Sequence, residues 1–297
     1  MNKYKLRVNT KTRILNSCRK IFTLPPFENI LVKFSKGKSP DSFAGKLIPP
    51  CYLYPRSSIR TVVRNGFKFE LDIHEAVDHF IYFGFKESAR EALYSLVKQG
   101  MVVLDVGANI GETSIMFSNL VKSEGKVYCF EPDDLNFKKL SRNISINGIK
   151  NIEPFQIGLG NENKKAKLFN VRESNSGMKR VLNDASGNFD FTEINIRTLD
   201  ALGEERKINH IDLIKIDVEG FEFNVLTGAS ETLKRYKPIL FIELIDNNLR
   251  EQGADSAGLI NFLSSLGYSV THSESGRKLT SAMNFSGCHY DIIARHS

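Results

Sequence analysis

The sequence predicts an α/β fold, a mostly parallel sheet with helices on both faces. Three observations predict it. From residue 87 onward, short apolar runs alternate with segments of helical periodicity. The runs lack apolar–polar alternation, the mark of strands buried on both faces. Glycines and acids cluster just after several runs, where such sheets bind their ligands.

The 297 residues carry a net charge of +7, unevenly spread. Residues 1–64 hold fourteen Lys/Arg and two Asp/Glu, while the remaining 233 hold 27 and 32. Residues 1–58 read as a basic, marginally ordered leader. Turn signals stand at Pro25-Pro26, Lys36–Pro40 and Pro49-Pro50, and a short helix is expected near 11–21. A solvated leader is the favoured reading, with weak peripheral contact to an anionic membrane, or contact with nucleic acid, as the alternatives. No run approaches the roughly 18 apolar residues that span a bilayer, and no apolar segment follows the basic start. Cys18, Cys51, Cys129 and Cys288 show neither metal nor disulfide spacing, so reduced thiols and a cytoplasmic protein are expected.

Asn65-Gly66 lies between Thr61–Val63 and Phe67–Leu71, a hairpin signal because both turn residues need positive φ. An aromatic segment, Tyr82–Phe85, precedes a helix over 87–98 with Ala89, Leu93, Leu96 and Val97 on one face. Strands follow at Met101–Val106, Val127–Phe130 and Ile152–Ile157, separated by helices over 111–122 and 134–146. Residues 160–198 break the rhythm and read as two strands framing a long polar loop. Strands at Asp212–Ile216 and Ile239–Leu244 and helices over 221–235 and 256–266 resume it. Tyr268–Thr271 and Tyr290–Ala294 close the chain as an antiparallel pair at one sheet edge.

The chemistry-bearing residues sit at strand ends. Asp105-x-Gly107-x-Asn109-x-Gly111 follows the first strand. Its glycines allow a tight turn and close backbone approach, and the next helix offers free N–H groups. The spacing is not that of the dinucleotide fingerprint. Glu131-Pro132 follows the second strand, where an acid can accept from both hydroxyls of a ribose. Asp217 and Glu219, with Gly220 and Glu222 beyond, follow the fourth, and Glu243 the fifth.

As a set these residues resemble the FkbM family of S-adenosylmethionine-dependent methyltransferases. The matching stretches are Val102–Thr113, Val127–Pro132, Thr198–Asp200, Asp212–Glu222, Val225–Ala229 and Pro238–Glu243, in that order and spacing. The resemblance spans about residues 60–295 and leaves out the leader. It implies a Rossmann-like seven-stranded methyltransferase sheet, mostly parallel with an antiparallel edge strand near Tyr290, in a domain over 59–297. It implies that Gly107, Asn109 and Gly111 line the methionine end of S-adenosylmethionine and that Glu131 holds its ribose. Asp105, Thr113 and Pro132 complete the expected cofactor-binding set. The family is similar in transferring methyl groups to oxygen, often on sugars or secondary metabolites. Methyltransferases of base amines tend to carry an Asn/Asp-Pro-Pro-aromatic run after the fourth strand. This chain has Asp217–Gly220 there, which argues against a nucleobase.

The expected function is therefore O-methyl transfer to a hydroxyl of a saccharide or small metabolite. The partner is a hydroxyl-bearing small molecule or glycan, not nucleic acid. Asp217 and Glu219 are the candidate catalytic residues, as base or positioner of the acceptor oxygen. His74 and His79 are an alternative base. No metal spacing stands out, although Asp217, Glu219 and Glu243 could together accept Mg²⁺. Residues 170–192, with Arg172, Glu173, Asn175, Ser176, Lys179 and Arg180, are expected to form the acceptor-side loop. The rival readings are an RNA or protein methyltransferase and a non-catalytic cofactor-binding module.

Overall fold

The computed structural model describes residues 10–86, 88–170, 179–181 and 190–296. The chain divides between Glu87 and Ser88 into two compact units. The first contains helices α1 (Thr10–Arg19), α2 (Pro25–Ser35) and α3 (Phe43–Leu47), the hairpin β1 (Ile59–Arg64) and β2 (Phe67–Asp72), and α4 (Ala76–Phe83). Asn65 and Gly66 both adopt positive φ, 52° and 86°, and join β1 to β2 as the turn chemistry requires.

The described part of the leader, residues 10–58, contains α1, α2 and α3. Pro25 and Pro26 open α2, where a missing N–H costs nothing. Glu28 on α2 is buried and accepts from Arg60 Nε and from the Tyr82 hydroxyl, both at 2.8 Å. Ser35 Oγ donates to the Phe83 carbonyl at 2.6 Å. Helix α2 thus packs with the hairpin and α4, within the first compact unit.

The second unit begins with α5 (Ser88–Ser95). Then come β3 (Val102–Val106), α6 (Glu112–Val121), β4 (Lys126–Phe130), α7 (Asp134–Ile146) and β5 (Ile152–Phe155). Residues 158–197 contribute β6 (Gly158–Leu159), β7 (Lys164–Asn170), β8 (Lys179–Val181) and β9 (Phe191–Arg197), a separate sheet of order β6-β9-β7-β8. The remainder is α8 (Leu199–Glu205), β10 (Leu213–Ile216), α9 (Glu222–Thr227), α10 (Ser230–Tyr236), β11 (Ile239–Ile245), α11 (Asp246–Glu251), α12 (Ser256–Ser265), β12 (Tyr268–His272), β13 (Lys278–Leu279) and β14 (His289–His296).

The main sheet runs β13-β12-β14-β11-β10-β3-β4-β5. Strands β5, β4, β3, β10 and β11 pair in parallel, and β14 is antiparallel to both β11 and β12. The predicted α/β methyltransferase sheet is thus present. The two-residue β13, paired with β12, brings the described strands to eight. Strand β14 lies between β11 and β12, so the antiparallel strand is two places in from the β13 edge. The parallel strands read as continuous apolar runs because both faces are covered: Val103, Leu104, Leu213, Ile214, Leu240 and Ile242 are all buried. From β3 the chain winds outward through β4 and β5, and from β10 it winds the other way through β11. The switch point lies between β3 and β10.

Candidate active site

The register of β3 against β10 builds the centre of the site. Asp105 stands opposite Lys215 and Val106 opposite Ile216, so Gly107 follows beside Asp217. Asp105 is 0% exposed. It accepts from Ser114 Oγ at 2.6 Å and faces Lys215 Nζ at 3.4 Å. Lys215 also reaches Asp217 Oδ2 at 3.2 Å and donates to the Gly107 carbonyl at 3.1 Å. Burial works against its charge, but Asp217 and Asp105 outweigh that penalty and hold the ammonium above its ordinary pKa. Asp105 therefore anchors Lys215 and the first turn of α6 from beneath the site, with no surface left to present to a ligand.

Gly107 has φ 80°. A Cβ there would lie 1.8 Å from the Asp217 carbonyl oxygen, so the glycine lets β3 and β10 close together at their ends. Asn109, also at positive φ, leaves its Oδ1 buried with no hydrogen-bond partner. A Cβ on Gly111 would strike Leu140 Cδ1 of α7 at 2.4 Å. Gly111 precedes α6 without a side-chain cap, which leaves N–H groups of the first turn for another acceptor. Thr113 is half-buried on that turn, and Arg90 pairs with Glu112 beside it.

Glu131 ends β4 and is 6% exposed. Its Oε2 accepts from the Asn109 amide at 2.8 Å and its Oε1 from the Asp133 amide at 2.9 Å. Burial pushes its pKa up to about 7 in spite of those two bonds. Each oxygen keeps acceptor capacity beyond the amide it holds. Pro132 is half-buried next to it. Asp133 caps α7 through the Asn136 amide and pairs with Lys179 Nζ of β8 at 2.6 Å.

The loop after β10 turns at Glu219 (φ 55°) and Gly220 (φ 106°). Buried Glu222 closes it by accepting from the amides of Val218 (3.2 Å) and Gly220 (3.0 Å). Burial raises Glu222 to about 7 as well. Glu219 is held by Asn248 Nδ2 at 3.2 Å and by Arg180 of β8 at 3.7 Å. Arg180 also pairs with Glu251 at 2.9 Å. Asp217, by contrast, has a side chain 42% exposed. Glu243, two residues before the end of β11, is driven well above the usual carboxylate range by burial and by Asp217, Glu219, Glu222 and Asp291.

The switch point thus gathers the expected residues on β3, the β3–α6 turn, β4 and β10. Three contributors had no predicted role: Lys215, Glu222 and Asn248. The signal for Lys215 was present, a cation inside an apolar strand two residues before Asp217. His74 and His79 belong to the first unit, where their rings meet the carbonyls of Tyr54 and Pro49 at 2.8 Å. Burial lowers His79 to about 4. Among the described residues no group of three His, Cys, Asp or Glu is placed to hold a metal ion. Of the expected acceptor loop, Lys179 and Arg180 are described, while Arg172, Glu173, Asn175 and Ser176 lie outside the described residues.

The methyltransferase FkbM domain pattern matches residues 105–270, more than half of the chain. The chain belongs to the FkbM methyltransferase family. It is therefore an S-adenosylmethionine-dependent methyltransferase. It is similar to the 2-O-methyltransferase NoeI of Sinorhizobium fredii, 26% identical over 189 residues, covering 59% of this chain and 76% of that protein. The hexuronic acid methyltransferase AglP of Haloferax volcanii is 27% identical over 135 residues, covering 45% of this chain and 52% of AglP. A solved FkbM methyltransferase from Methylobacillus flagellatus superposes with a TM-score of 0.43 at 20% identity, covering 73% of this chain and 52% of that one.

Proposed function

We propose that this FkbM methyltransferase transfers its methyl group to a hydroxyl oxygen of a saccharide or small polar metabolite. The observation that carries the reading is the carboxyl-lined rim at the ends of β10 and β11, with Asp217 its exposed member. Carboxylates accept well from hydroxyls, and Asp217 stands exposed where such an acceptor would lie. The similarity to a 2-O-methyltransferase and to a hexuronic acid methyltransferase supports the same class.

The residues at the switch point fit S-adenosylmethionine. Asn109 offers a buried, unpartnered oxygen, α6 an uncapped N-terminus, and Glu131 two oxygens with spare acceptor capacity. Gly107, Asn109, Gly111 and Thr113 would line the methionine end. Glu131, stiffened by Pro132, would take the ribose. When bound, this cofactor supplies an electrophilic methyl on sulfur and a neutral leaving group. Orienting the acceptor accounts for roughly 7–11 kcal/mol of the barrier in such reactions. Asp217 orients the acceptor hydroxyl and takes its proton as the carbon–oxygen bond forms. Glu219, held by Asn248 and Arg180, sets the shape of the loop beside it. Lys179 and Arg180 bring β8 against Asp133 and Glu219, which puts this strand on the acceptor side. The test is methyl transfer from labelled cofactor to a panel of monosaccharides, uronic acids, oligosaccharides and RNA, with product mass. Transfer to RNA and to no hydroxylated small acceptor would overturn the reading.

A further inference from the structure

The first unit is built inside out along its N-terminal helices. Helix α1 turns Thr12, Asn16 and Arg19 inward: Asn16 is buried and donates to the Tyr52 hydroxyl at 2.9 Å, and Arg19 donates to the Lys46 carbonyl at 2.9 Å. Its apolar residues Ile14 (65%) and Leu15 (45%) face out. The pattern continues. Ile21 and Leu24 are exposed in the connection, and α2 shows Phe27, Ile30 and Phe34, at i, i+3 and i+7, on a stripe beside its buried Leu31 and Ser35. Phe43 at the start of α3 is 82% exposed. Thirteen large apolar side chains are exposed among the described residues, and eight of them fall between residues 14 and 43. Surface apolar residues scattered singly need no explanation, but eight within thirty residues of one helical segment point to an interaction surface.

The charge on the same helices is one-sided. Lys11, Arg13, Lys20, Lys33, Lys36, Lys38 and Lys46 are exposed. Over residues 10–50 the acids are Asp41, which is exposed, and Glu28, which is buried against Arg60. Lys38 Nζ lies 5.8 Å from the centre of the Phe34 ring, an apolar anchor with a cation at its rim. Helices α1 and α2, with ten and eleven residues, cannot cross a bilayer. Apolar anchors ringed by cations and nearly free of acids match the interface of an anionic bilayer, where rings and branched chains enter the headgroup boundary and lysines meet phosphate.

We propose that the outer face of α1–α3 docks this methyltransferase on an anionic lipid bilayer. A polyanion such as RNA accounts for the lysines but not for eight exposed apolar side chains. The inference is independent of which hydroxyl the second unit methylates.

The test is flotation of the full chain with vesicles of phosphatidylcholine alone and of phosphatidylcholine with phosphatidylglycerol. The protein is expected to float with the anionic vesicles, less so as salt rises, and not with the neutral ones. Two variants separate the contributions: Phe27→Ser/Ile30→Ser/Phe34→Ser removes anchors, and Lys33→Glu/Lys36→Glu/Lys38→Glu reverses charge. Each is expected to lower partitioning ~10-fold or more while cofactor affinity and melting temperature stay at wild-type values. Wild-type protein that ignores anionic vesicles, or variants that float as well as wild type, would overturn the proposal. So would loss in the charge variant alone coupled with tight binding of an RNA oligonucleotide, which would make the partner a polyanion. If the apolar triple variant melts early, the charge variant decides the matter.

Discussion

Protonation of Glu131 should govern cofactor affinity. Burial places its pKa at about 7, above the ordinary glutamate value, although the amides of Asn109 and Asp133 pull the other way. The ionised form can accept from both ribose hydroxyls, whereas the neutral form spends one oxygen as a donor. When one of two states binds, the apparent dissociation constant rises in inverse proportion to its population. With a pKa of about 7 the binding-competent fraction is about one in eleven at about pH 6 and nearly all at about pH 8.5. Affinity should therefore weaken about tenfold on going from the higher pH to the lower, equal to about 1.4 kcal/mol. The stability sign is opposite. A carboxyl whose pKa is raised by folding favours the folded state at low pH, and that contribution is lost as pH rises from the ordinary glutamate value toward about 7. Calorimetric titration of S-adenosylmethionine into wild type and Glu131→Gln across this range measures the effect. Glutamine cannot ionise, so the variant should bind more weakly at high pH and lose the slope. A flat wild-type profile, or an equal slope in the variant, would refute the reasoning.

Lys215→Met should destabilise the second unit by about 3–5 kcal/mol, because it leaves fully buried Asp105 without its cation; denaturant unfolding measures it, and Asp105→Asn in the same chain should recover part of the loss. Asp217→Asn should keep cofactor affinity and lower kcat by ~10²-fold or more, with Glu219→Gln doing less; equal kcat in wild type and Asp217→Asn would remove the proposed base. Chelation with EDTA should leave turnover unchanged, and inhibition reversed by Mg²⁺ would make the rim carboxylates metal ligands.

The parallel sheet and the glycine turn after β3 were legible because their signals are local. Continuous apolar runs, Asn65-Gly66 and the strand-end placement of Gly107, Glu131 and Asp217 each depend on a few neighbouring residues. What stayed hidden depends on pairing across the sequence. Glu28 looks like a surface acid on a basic leader until Arg60 and Tyr82 close on it. The leader's apolar residues do follow a helical period, but the inward face of α1 is polar, so periodicity there marks the outside. Gly107 was read as room for a ligand, and the register of β3 on β10 gives it a second duty against the Asp217 carbonyl. Asp200, quoted within a family stretch, caps α10 by accepting from the amides of Glu231 (3.0 Å) and Thr232 (2.8 Å).

The rim carboxyls are chemically unequal, and the inequality follows from what holds each one. Glu222 is committed to the amides of its own loop, Glu219 to Asn248 and Arg180, and Glu243 lies against His289 at 3.3 Å. Asp217 keeps a substantial exposed surface, with Lys215 on one oxygen. A proton acceptor for an alcohol would ordinarily have to be a strong base. Methyl transfer relaxes that demand. A free alcohol holds its proton tightly, but as its oxygen bonds to the incoming carbon the O–H becomes strongly acidic. A weak base already in hydrogen-bond reach then suffices. Lys215 fixes the direction of the Asp217 carboxylate, and Asp105, held by Ser114, fixes Lys215, so the placement of that carboxylate traces back to one cross-strand register. On this arrangement the pH dependence of cofactor binding belongs to Glu131.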